Sequence, residues 1–257
     1  MTRSDTHVTV IKDSTYKLII CSENHVETLL QEAAHAFRIL SFLGAPPGFT
    51  ITWWRIPKPR LLKPNMFPTR AEVNGGWAYR GQPAVWVYRL EEWDRVLIHE
   101  CVHALDWDVT IPNHLKSCLE TSQNGSLMDA LFEAATELTA EWFWCIINAP
   151  EGDTTGETWV QQKHWQQSQA YSILARHPKN NSWSEDTSIF AYYILKTALA
   201  FEDTTFFLNW YAGVEDPGRW CELWNKYKEA FYHKAQMYKH TVNREISMRM
   251  TNPELQN

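Results

Sequence analysis

Residues 93–108, WDRVLIHECVHALDWD, constrain the fold more than any other stretch of the chain. Val96, Leu97, Ile98, Val102 and Leu105 recur at helical spacing, so the segment reads as a helix with an apolar body. Into that body it sets His99, Glu100 and His103. Two imidazoles and a carboxylate are costly to bury unless they are paired or ligated. On a helix, positions i and i+4 share a face, so His99 and His103 can aim ring nitrogens at one ion. Glu100, beside the first of them, can act as a base toward a water activated there. With 10 His and 20 Glu in 257 residues, chance placement expects about 0.03 His-Glu-x-x-His matches, so the surroundings of the motif must decide.

The rest of the chain narrows the class. Net charge is −6 and the pI about 5.9, which argues against nucleic acid as the main partner. The one basic run, Arg55, Lys58, Arg60 and Lys63 among prolines, reads as a solvated surface loop. No apolar run approaches the roughly 18 residues of a membrane span, and the N-terminal residues lack the apolar core of a secretory signal. The five cysteines (21, 101, 118, 145, 221) are odd in number, without CxxC spacing. They suggest free thiols in a reducing, intracellular and cytoplasmic setting. Most of the 14 Trp are expected in the core.

Along the chain, residues 7–11 and 16–21 read as strands. Asn24 is placed to cap a helix reaching about Leu43, closed by Gly44. FTITWWRI (49–56) alternates like a strand, and PKPRLLKPNMFP is a Pro-broken loop. NGGWAYRGQPAVWVYRL reads as two strands around Gly81-Gln82. From about residue 114 the signal is almost all helical. The expectation is one α+β catalytic domain. An N-terminal lobe (about 1–110) carries a mixed sheet with an edge strand and the active-site helix. A mainly helical C-terminal lobe (about 111–250) follows, and residues 251–257 form a loose tail.

A catalytic zinc site needs a third protein ligand. In NGSLMDALFEAATELTAEWFW, residues 124–144, Ser126 and Asp129 form a capping box that starts a helix. Asp129, Glu133, Glu137 and Glu141 recur every four residues and stack on one face, where like charges repel. No Lys or Arg lies between Lys116 and Lys163 to offset them. An acidic stripe on an otherwise apolar helix asks for a cation, and zinc held with the two histidines is the candidate.

HExxH followed by a helix carrying Glu-Ala-x-x-Glu resembles the gluzincin zinc metallopeptidases, the thermolysin-like clan, over roughly residues 76–144. The resemblance implies a zincin-like fold and one zinc ion held by His99, His103 and Glu133. It implies Glu100 as general base and Glu137 as the acid that hydrogen-bonds a zinc-bound histidine, a role where Asp is common. Asp129 belongs to the same supporting stripe. AVWVYRL (84–90) resembles the clan's edge strand, which binds peptide by backbone pairing. The clan also uses a later Tyr or His to stabilise the oxyanion. Tyr193 is favoured, with Tyr192, Tyr232 and His233 as alternatives. Glu137 and His114 are the other candidate third ligands. A metzincin would need Gly at 106 and His at 109, where this chain has Asp106 and Val109; Asp106 is expected in a salt bridge or a supporting role. Cys101 is expected to pack within the helix. The longer stretch YRLEEWDRVLIHECVHALDWD is also similar to uncharacterised HExxH proteins of large DNA viruses.

The expected function is zinc-dependent hydrolysis of peptide bonds in a cleft between two lobes. The partner would be a peptide or protein substrate, with neither nucleic acid nor membrane involved. The alternative is a catalytically silent, zinc-stabilised binding or structural module of a larger assembly, although such a module has no need of Glu100. A metal-free helical adaptor would require the motif to be accidental.

Overall fold

The computed structural model describes residues 6–23, 28–107, 127–153, 156–177, 187–200 and 218–255. Within these, the chain is mixed α/β, compatible with an α+β class, and its contacts divide it into two compact units. The first takes its described residues from 1–59, 75–108 and 139–147, the second from 60–74, 109–138 and 148–257. The partition therefore does not follow a single cut near residue 110.

The first unit is built on a five-stranded sheet. Its strands are β1 (His7–Lys12), β2 (Lys17–Ser22), β3 (Thr50–Trp54), β5 (Gly76–Ala78) and β6 (Ala84–Val87), in the order β1-β2-β3-β6-β5. β2, β3 and β6 run parallel, while β1 and β5 pair antiparallel at the two edges. Alternation sends Leu18, Ile20, Ile51, Trp53, Val85 and Val87 to one face, where all are buried. Helix α1 (Leu29–Phe42) buries Ala33, Ala36, Ile39 and Leu40, and α3 (Trp93–Ala104) packs on β5, β6 and α1. Thr28, not Asn24, stands at the N-cap of α1; Asn24 lies outside the described residues. Gly44 follows α1 with φ +65°, the left-handed backbone that a helix C-terminus favours in glycine.

Two sequence expectations change here. AVWVYRL was expected to supply the edge strand, but β6 lies inside the sheet between β3 and β5, and the edge strand is β5. β5 and β6 pair antiparallel as the expected hairpin, and β6 is the arm that meets the parallel strands. The basic run is also not a solvated loop throughout. Arg55 Nη2 donates to Glu32 Oε1 at 2.8 Å, and Arg60 is 1% exposed with its guanidinium donating to the Val73 carbonyl.

The second unit holds a small antiparallel pair, β4 (Leu61–Leu62) with β7 (Ile246–Ser247), and the short α2 (Arg70–Val73). Its longer helices include α5 (Glu157–Arg176), a π-helical turn over Phe190–Leu195 that runs into α6 (Lys196–Ala200), and α7 (Gly218–Ala235). The C-terminal segment is docked rather than loose up to residue 252: Thr251 and Asn252 are buried. Gln162 of α5 grips it from both sides of its amide, donating to the Met250 carbonyl at 2.7 Å and accepting from the Asn252 N–H at 2.8 Å. Helix α4 (Leu127–Asn148) is one continuous element that contributes residues to both units. Among the described residues no helix is long and apolar enough to cross a membrane.

Candidate metal centre

Helix α3 presents the HECVH residues as its periodicity requires. His99 and Glu100 are buried at 7% exposure, and His103 is half-buried. The Nε2 atoms of His99 and His103 stand 3.1 Å apart, with the rings nearly perpendicular at 78°. A tetrahedral zinc ion with bonds of about 2.0–2.1 Å to nitrogen places two donors about 3.3–3.4 Å apart, so the pair is already spaced for one ion.

The third carboxylate arrives on α4. Its later residues dock within the first unit: Trp144 Nε1 donates to Asp94 Oδ2 at 2.8 Å, in the first turn of α3. Phe143 packs edge-on against Phe42 and Trp107. Glu133 lies six residues before Thr139 on the same continuous helix, about 9 Å of rise. His99, His103 and Glu133 each offer one ligand atom, and these atoms all lie within 4.8 Å of one another. That spread is at most about 1.4 Å wider than a closed tetrahedron. Two imidazoles and a carboxylate are a donor set suited to zinc, and the group could hold a metal ion.

Glu137 and Glu141 are buried. Glu137 Oε1 is 3.4 Å from Lys196 Nζ, both side chains 1% exposed, so the acidic stripe has a basic partner 59 residues downstream that no local window of sequence reveals. Lys196 is the residue the sequence reading missed. Asp129 lies in α4, with its side chain outside the described residues, as are Ser126 and His114. Tyr193 is 1% exposed, and its hydroxyl donates to the Met248 carbonyl at 2.7 Å. That proton is committed to holding the C-terminal segment, which does not fit the oxyanion role expected of Tyr193. Tyr192 is half-buried, and Tyr232 and His233 are exposed. Asp106 sits past the end of α3 and pairs with Arg80 at 3.2 Å, the salt bridge foreseen for it. Cys101 is fully buried; burial, and secondarily the Glu100 charge, push its thiol well above the ordinary value, which suits packing and not nucleophilic attack.

Around Glu100 the sheet edge comes close. Gly76 and Ala78 of β5 pair with Val87 and Val85, whose side chains face the core, so they share the face on which α3 packs. Trp77 pairs with Trp86 and faces the other way, stacked with Trp54 and Trp86. Among the described residues no strand pairs with the outer edge of β5. Compared with protein-family models, curated proteins and solved structures, the chain matches none.

Proposed function

We propose that the chain is a zinc-dependent peptidase. The observation that carries this reading is the convergence of His99, His103 and Glu133, from two helices, beside Glu100 on the same turn as His99. A purely structural site would use four protein ligands and no base; three ligands with an adjacent carboxylate fit hydrolysis. When bound, the ion supplies Lewis-acid polarisation of a carbonyl and acidification of a water.

The chain's own residues do the rest. An extended peptide adds to the outer edge of β5 by main-chain hydrogen bonds. Glu100 takes the proton of the attacking water. As the C–N bond breaks, Glu100 returns that proton to the leaving amine. His99 and His103 hold their Nε2 atoms 3.1 Å apart on one helix, and Glu133 supplies the third donor within 4.8 Å of them.

The test is Glu100→Gln. Metal content per chain, read by elemental analysis, stays as in the unaltered protein. Hydrolysis of a fluorogenic peptide library falls by about 10²–10⁴-fold. A variant that cleaves at near the original rate would remove Glu100 from this role.

A further inference from the structure

Gly76 has no conformational need to be glycine, since its φ lies outside the left-handed region. It has a steric one. A Cβ at this position would meet the Trp86 carbonyl oxygen at 2.6 Å, Glu100 Cγ at 2.9 Å and Val96 Cγ1 at 2.9 Å. All three distances are below what a real Cβ tolerates. The Trp86 oxygen belongs to the backbone of the neighbouring strand, paired across from Trp77. Val96 is β-branched on a helix and has essentially one χ1 available. Of the three neighbours, Glu100 has the side chain with the most rotatable bonds, so it is the one that a Cβ would displace.

We infer that Gly76 is a positioning residue: without a Cβ the edge strand leaves the space that Glu100 Cγ occupies, and so lets the Glu100 carboxylate stand where it can transfer a proton. The alternation Gly76-Trp77-Ala78-Tyr79 serves this arrangement. It keeps the small residues on the α3 face and sends the rings to the other, so β5 can lie directly on the helix. The catalytic consequence rests on the peptidase reading; the contact itself does not.

Two measurements on Gly76→Ala test the inference. The first is a double-mutant cycle by thermal unfolding with Glu100→Ala, which removes Cγ. Gly76→Ala is expected to lower Tm by roughly 5 °C or more in the original background, and by clearly less when Glu100 is Ala. Strictly additive shifts would overturn the contact, whatever the enzyme does. The second is steady-state kinetics per metal-loaded, folded molecule. Gly76→Ala should retain its metal and lose about 10²-fold in kcat with KM little changed. A merely structural glycine would lower Tm and yield but leave kcat alone, and that result would overturn the positioning role. Should Gly76→Ala alone fail to fold, the Gly76→Ala, Glu100→Ala double variant decides: folding restored by removal of Cγ supports the contact, and a double variant that also fails to fold overturns it. Were the unaltered protein to cleave no peptide, the peptidase reading would fall, while the unfolding cycle would still decide whether Gly76 holds Glu100.

Discussion

Lys196 and Glu137 form an ion pair with neither partner in water: each side chain is 1% exposed, and Nζ stands 3.4 Å from Oε1. The Tyr193 ring lies 5.8 Å from the same Nζ. Taking one partner away leaves a buried charge uncompensated, which costs about 3–5 kcal/mol. Lys196→Met should therefore lower Tm by roughly 10 °C, and Lys196→Met with Glu137→Gln should recover most of that loss. Equal loss in the single and double variants would show that the pair contributes through packing alone. Glu137→Gln also tests the role implied by resemblance. If Glu137 orients a metal-bound histidine, zinc affinity measured by competition with a chelator falls about 10–100-fold; unchanged affinity would confine Glu137 to its partnership with Lys196.

At the scale of elements, helices are well marked in this sequence because their signals are local. α4 ends at Asn148 and α5 begins at Glu157, with the Pro- and Gly-containing stretch between them breaking the helical signal. The start of α5 shows how. Asp153 accepts from the Glu157 and Thr158 N–H groups, both at 3.0 Å, satisfying donors that the first helical turn cannot. Hydrogen bonding from Thr158, above all, holds the Asp153 carboxyl below its ordinary value. A depressed carboxylate stabilises the fold above its unfolded pKa, and that contribution is lost as pH falls through the folded pKa. Asp153→Ala should therefore lower Tm at neutral pH, with the gap to the unaltered protein closing from about pH 5 downward. A gap that persisted in strong acid would mean that the carboxylate charge is not what the helix uses. Strand order carries no such local mark. Gly76–Ala78 and Ala84–Val87 are both short and alternating, and only the parallel pairing of β6 with β3 puts β5 at the edge.

For the whole molecule, a ligand that binds only the folded chain raises its stability by mass action. Zinc at about 100 times its dissociation constant should add about 2.7 kcal/mol, or roughly 5–10 °C in Tm. Chelator should reverse the shift, and Glu133→Ala or His99→Ala should remove most of it. Absence of any shift in the unaltered protein would remove the metal centre. The sequence by itself determined the helix that carries His99, Glu100 and His103, the acidic face of α4, and a chain of mixed α/β class, because helical periodicity and motif spacing are properties of a few consecutive residues. Tertiary structure alone decided that Glu133 stands within 4.8 Å of both histidines and that Lys196 meets Glu137. It also decided that Tyr193 spends its hydroxyl on Met248, and that Gly76 lies against Glu100. Each of these contacts joins residues from 24 to 59 positions apart. Separations of that size are closed by packing of whole elements, whose burial depends on all their neighbours at once, and no window of sequence encodes that sum.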